Sequence, residues 1–215
     1  MNIKSLLLGS ALLTMAMSGA ALAATGEDAA ALSTLQHEWA KANYGLKDDQ
    51  REAALKDLTK KAEDAAKQYP QSAAILAWRG IILSTYAGAK GGLGAIDLAK
   101  DALKSLEAAR KIDEKAIGGG IDTSIGALYY RVPGWPLGFG DDDEAAKYLA
   151  MGVAINPDGI DENYFYGDFL ADQGEKDKAI IYLKKALAAA PRPERADADE
   201  GRRAEINAAL KKLTD

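Results

Sequence analysis

The chain has 215 residues, long enough for one well-packed domain and short for two. Its 27 basic residues against 32 acidic ones give a net charge of −5 with no compact basic cluster, which argues against nucleic acid or an anionic membrane surface as partner. With no cysteine, it has no disulfides, thiolate metal ligands, nucleophilic thiol or lipid-modified N-terminal cysteine. Alanine is abundant and aromatics are only 7%, a composition that favours helices because alanine loses no side-chain entropy on entering one.

Residues 1–23 read as an export signal: Lys4, an apolar stretch from Leu6 to Met17, and Ala21-Leu22-Ala23 as a small-x-small cleavage site. That stretch is shorter than the about 20 residues a bilayer span needs, and no later segment is apolar enough to cross a membrane. We expect cleavage before Ala24 and a soluble periplasmic protein without a lipid anchor.

Four helical hairpins follow. The first, about 29–70, has Trp39 and Tyr44 on its first helix and Leu55, Leu58, Ala62, Ala65 and Ala66 along its second. The next, about 72–114, holds Trp78 and Gly80, a connector from Gly88 to Gly94, and a stripe of Ala102, Leu103, Leu106, Ala109 and Ile112. Gly118 to Gly120 read as a helix C-terminal turn with Asp122 capping the next helix. The third hairpin, about 121–157, contains Gly126 and a second helix striped by Ala145, Leu149, Gly152 and Val153. The fourth, about 160–191, carries Gly167, Leu170, Gly174, Ala179, Leu183, Ala186 and Pro191. A last helix, about 196–214, with Ile206, Ala209, Leu210 and Leu213 in register, reads as a cap over the exposed apolar end of a stack.

Gly140, Ala145, Leu149 and Pro157 recur as Gly174, Ala179, Leu183 and Pro191, each pair 34 residues apart. That period, made of two helices, is similar to the tetratricopeptide repeat (TPR). The expected fold is therefore all-α: a TPR-like right-handed solenoid of about four helical hairpins plus a C-terminal capping helix. Gly167 lets two helices cross closely and Gly174 permits the tight turn between them.

The chemistry-bearing candidates are few. Gly88 to Gly94 lacks the Gly-Lys-Ser/Thr that a phosphate-binding loop requires, and Asp141 to Glu144 lacks the alternating spacing of a calcium loop while suiting a helix start. His37 is the only histidine. No catalytic residue, metal ligand or cofactor is therefore assigned. The unusual segment is Tyr129 to Gly140, where seven extra residues part Gly126 from Gly140 relative to Gly167 and Gly174. Its aromatics and Arg131 either form a recognition surface or, with Trp135 and Phe139 folded back, seal the groove between repeats. In a TPR superhelix the first helices line the concave face. The register of Gly80, Gly126 and Gly167 places Ala77, Ile81, Ser84, Thr123, Ala127, Tyr130, Tyr164, Asp168 and Ala171 there, an apolar, aromatic and slightly acidic wall unsuited to clamping a peptide carboxylate.

Two stretches, Tyr130-x-Val-Pro-Gly-Trp-Pro-Leu-Gly-Phe-Gly-Asp141 and Asn156-Pro-Asp-Gly-Ile-Asp-x-Asn-Tyr-Phe-Tyr-Gly167, resemble bacterial envelope TPR proteins related to the periplasmic T component of TRAP-type transporters. The resemblance implies a helical body that holds an apolar ligand and meets a substrate-binding partner. The expected function is a non-enzymatic scaffold that binds a protein partner in the periplasm or envelope. The alternative is an accessory protein holding a small apolar ligand. The candidate binding residues are Ile81, Tyr130, Arg131, Trp135, Phe139, Tyr164 and Asp168.

Overall fold

Among residues 26–215, which the computed structural model describes, nine α-helices follow one another; the expected export signal lies outside this range. They are α1 (Gly26–Gly45), α2 (Asp48–Gln68), α3 (Ala73–Lys90), α4 (Leu93–Ile112), α5 (Gly120–Arg131), α6 (Asp142–Ile155), α7 (Ile160–Asp172), α8 (Lys176–Leu187) and α9 (Ala196–Thr214). The pairs α1–α2, α3–α4, α5–α6 and α7–α8 pack as hairpins, and each hairpin packs on the next. The architecture is a TPR-like helical-hairpin solenoid.

Local chemistry sets the breaks. Ser72 caps α3 by accepting from the Ile75 amide, and Asp141 caps α6 by accepting from the Glu144 amide at 2.9 Å. The α3–α4 turn runs through Gly91 and Gly92 with φ of 62° and 64°, a left-handed conformation that glycine adopts without a Cβ penalty.

One close approach recurs in three hairpins. A Cβ added to Gly80 would meet Leu106 Cγ at 2.6 Å, one on Gly126 would meet Leu149 Cγ at 2.7 Å, and one on Gly167 would meet Leu183 Cγ at 2.9 Å. Each leucine is fully buried, so in every case a missing side chain on the first helix receives a leucine from the second. This is the close crossing that the repeat register implies for Gly167, and it appears at Gly80 and Gly126 as well.

Two details depart from the sequence reading. Gly118 to Gly120 do not end a helix: Asp113 caps α4, and a short extended segment, β1 (Ala116–Gly119), carries the chain to α5. Asp122 is not the cap of α5, which begins at Gly120; its side chain is fully buried inside the first turn and accepts a 2.7 Å hydrogen bond from Arg110 of α4. A buried carboxylate needs such a partner, and Arg110 ties one hairpin to the next.

The last helix does more than cap. Its apolar residues Ile206, Ala209, Leu210 and Leu213 pack against Ile160, Tyr164 and Leu183, which covers the end of the stack. Arg203 donates to the carbonyls of Leu187 and Ala189, capping the end of α8. The opposite side of α9 meets α1: Ala198 joins the cluster of Leu35, Trp39 and Trp78, and Tyr44 donates to Glu205. Gly201 makes this contact possible, because a Cβ there would fall within the Tyr44 ring. The solenoid is thus closed on itself, first helix to last.

Candidate functional site

Closure leaves a cavity of about 990 Å³ inside the ring. Its walls come from α1, α3, α5 and α7, from Arg51 of α2, the first two turns of α4 and β1, from the turns after α3 and α5, and from α9 with the segment before it. Natural ligand pockets span roughly 300–1,000 Å³, so this one lies at the upper end of that range. Trp39, Trp78, Ile81, Ile117, Leu128 and Phe165 supply the apolar wall. Trp39 and Trp78 meet edge to face with centroids 5.6 Å apart, and the Trp39 indole donates to Thr85 at 2.9 Å.

The polar part of the lining overturns the expectation of a slightly acidic wall. Five arginines face the cavity: Arg51, Arg131, Arg192, Arg195 and Arg202. Arg202 is almost fully buried and donates to Asp161 at 2.8 Å and Glu205 at 2.6 Å. Its guanidinium stacks on Tyr164 and Phe165, 4.4 and 4.7 Å from their ring centres. Arg192 reaches Asp161 at 2.8 Å and Asp199 at 2.6 Å. Burial alone would raise the Asp161 carboxyl, but Arg202, Arg192 and Arg195 around it outweigh burial and hold it well below the usual carboxylate range. Glu162, beside it, moves the other way: burial and then the Asp161 charge push its carboxyl up.

Because the folded state depresses Asp161, the unfolded chain takes up that proton more readily. The stabilisation is fully present above the ordinary carboxylate value of about 3.9 and is lost as pH falls below it toward the folded value. Urea denaturation of the wild-type protein and Asp161→Asn between neutral and strongly acid pH checks this. The wild-type advantage should be flat above about pH 5 and shrink below about pH 4. An advantage that grew on acidification would reverse the sign.

The sequence-predicted residues fall into three groups. Ile81 and Arg131 line the main cavity. Tyr130, Arg131 and Asp168 form one network: the Tyr130 hydroxyl donates to Asp168 at 2.6 Å, and Arg131 donates to the Tyr130 oxygen and to Asp168, each at 2.8 Å. Burial, with Asp168 alongside, pushes the Tyr130 hydroxyl above its ordinary range, so it remains a donor. Tyr164 and Asp168 border a smaller cavity of about 310 Å³ between α7 and α9, together with Ala171. Phe139 and Trp135 divide the two possibilities set for the insertion. Phe139 folds back onto Tyr129 with centroids 5.7 Å apart, whereas Trp135 is 91% exposed and Leu137, on the cavity rim, is 62% exposed. Of the residues assigned to the concave face, Ser84, Thr123 and Ala127 also line the main cavity, while Ala77 is packed between helices and Tyr130 lines neither cavity.

Sequence reasoning missed Trp39, Arg51, Arg192, Arg195 and Arg202, because it treated the last helix as an end cap. The available signal was Gly201: a glycine inside a helix costs about 1 kcal/mol relative to alanine and marks a close approach. Asn163 was also missed. It is fully buried, and its amide donates to the carbonyls of Pro157 and Gly159 at 2.9 and 2.8 Å, fixing the α6–α7 turn that presents Asp161.

Among the described residues no group of three or more histidines, cysteines or acids could hold a metal ion, and no helix is long and apolar enough to cross a membrane. No protein-family model matches the chain, and no curated protein matches it. Two solved structures are similar in shape. A thermophilic TPR protein of Thermus thermophilus aligns over 86% of this chain and 99% of its own at 17% identity, with a TM-score of 0.44. Yeast Tom70 aligns over 87% of this chain at 14% identity and a TM-score of 0.47, and the match spans 41% of the Tom70 chain.

Proposed function

We propose that this protein is a non-enzymatic binding protein that holds an elongated, largely apolar small molecule inside its ring. The observation that carries the reading is the cavity of about 990 Å³, walled by the first and last described helices at once. A peptide-binding solenoid needs an open concave face, but here α9 occupies the opening by packing on α1 and α7. With the expected export signal, the place of action is the periplasm. The two motifs that resemble the T component of TRAP-type transporters suit a role beside such a transport system.

The test is a cavity-filling substitution. Ile81→Trp should cut the small molecule recovered by organic extraction of the purified protein at least about tenfold, the scale on which a blocked pocket loses affinity. Equal recovery from both proteins, with both folded, would place the ligand elsewhere or remove it from the account.

A second reading, a protein-partner contact, rests on the 91% exposure of Trp135 beside the exposed Leu137 at the cavity rim. An exposed tryptophan next to the mouth of a ligand cavity suits a partner that delivers or receives the ligand. Trp135→Ala should leave the melting temperature nearly unchanged, because the ring buries little, and should weaken capture of a partner from a periplasmic extract. A loss of several kcal/mol of stability would mark the side chain as structural.

A further inference from the structure

We propose that the ligand is an amphiphile with a single anionic head group, a carboxylate on an apolar tail, and that Arg51 and Arg195 receive the head. This rests on the ring cavity being a ligand site.

The arginines of the lining fall into two sets. Three of the five are matched by acids: Arg131 by Asp168, Arg192 by Asp161 and Asp199, and Arg202 by Asp161 and Glu205. Arg51 and Arg195 are not. Among the described residues, no carboxylate oxygen lies within 4.0 Å of either guanidinium. Arg51 donates from one terminal nitrogen to Asn43 at 2.7 Å, while its Nε is buried without an acceptor. The Nε of Arg195 is likewise buried and unpartnered, and its guanidinium lies over the Trp78 ring, 4.9 Å from the centre.

Both groups neighbour the Trp39–Trp78 pair: Arg195 lies on Trp78, and Asn43, which Arg51 engages, is one helical turn beyond Trp39 on α1. A half-buried guanidinium without a hydrogen-bonded acceptor is costly, and around Arg195 the charges of Asp161 and Asp199, both already bonded to Arg192 or Arg202, are opposed by the positive Arg192 and Arg202. The two remaining acids of the lining do not relieve it. Glu162 is engaged by Asn156, and Glu194 is exposed to solvent. A planar carboxylate matches the guanidinium fork and would accept from the terminal nitrogens of Arg51 and Arg195 that no acid engages, the buried Nε atoms lying away from the cavity surface.

The other parts of the lining describe the tail. Toward the C-terminal ends of α3 and α5 and the start of α4 its apolar residues are Ala87, Leu93, Leu128, Val132, Pro133 and Leu137, and Arg131 among them is paired with Asp168. Leu93 and Leu137 are also exposed, at 79% and 62%, which puts an apolar rim on this part of the cavity. A neutral oil would suit that surface and leave the arginines unpaired; a small anion would do the reverse.

Isothermal titration of the delipidated protein from Ala24 onward with dodecanoate, dodecanol, dodecylamine and acetate tests the assignment. Dodecanoate should bind about tenfold or more tighter than dodecanol, the effect of charge-assisted hydrogen bonds, and acetate should give no measurable binding. Arg51→Gln and Arg195→Gln should bring dodecanoate to the level of dodecanol and leave dodecanol unchanged, a pattern that misfolding cannot produce. Dodecanol or dodecylamine binding as tightly as dodecanoate to the wild-type protein would overturn the anionic head while leaving the ligand-binding function intact. If no amphiphile binds at all, that function fails with it.

Discussion

Replacing Arg202 with alanine is expected to destabilise the protein by about 3–5 kcal/mol, the cost of breaking a buried ion pair by removing one partner. The side chain is 8% exposed and joins α9 to α7 directly and to α1 through Glu205. It bonds Asp161 of α7 and Glu205 of α9, and it stacks on the rings of Tyr164 and Phe165. The Tyr44 hydroxyl of α1, which burial pushes above its ordinary range, also donates to Glu205. Without Arg202 the Asp161 charge keeps only Arg192 as a direct partner, and the contact of α9 with α1 loses its charged anchor. Arg202→Lys should recover less than half of the loss, because an ammonium keeps the charge but not the planar stack or the two-pronged geometry. Urea denaturation of the three proteins measures this directly. A loss below about 1 kcal/mol for Arg202→Ala would mean that α9 is held by its apolar face alone.

The second large effect lies at the hairpin crossings. Leu149→Ala should cost about 3–5 kcal/mol, since the side chain is fully buried and its removal leaves a cavity against Gly126. Gly126→Ala should also destabilise, by about 1–3 kcal/mol, because the new methyl would lie 2.7 Å from Leu149 Cγ and 2.9 Å from the Leu149 amide nitrogen. The two changes are expected to compensate: the methyl on position 126 enters the space that the leucine vacates, so the double variant should be more stable than the sum of the singles implies. Strict additivity would mean that the crossing distance is set by other contacts.

The repeat architecture was legible because local and global signals agree in it. Gly80, Gly126 and Gly167 mark crossings, Asp141 starts a helix, and the 34-residue spacing relates the last two units. The candidate site was legible only in part. Ile81 and Arg131 were placed on the inner face by register or by the unusual insertion, and both line the cavity. The Tyr130–Asp168 bond spans 38 residues and joins neighbouring repeats, so no local pattern announces it. The arginines of the C-terminal region were hidden for a different reason. The stripe of Ile206, Ala209, Leu210 and Leu213 fully accounts for a cap, and the opposite face of such a helix is ordinarily solvated. Only packing against α1, far away in sequence, turns that face inward and makes Arg202 a core residue.

Whether the ring holds a small molecule is decided most directly by native mass spectrometry of the protein purified from its own host, compared with its denatured mass. The expected result is a native mass that exceeds the bare chain by one small molecule, which is released on denaturation and identified as an apolar chain with one acidic group. A native mass equal to the bare chain, or a complex containing only a second polypeptide, would contradict the ligand-holding function and leave the exposed Trp135 surface as the working face of the protein.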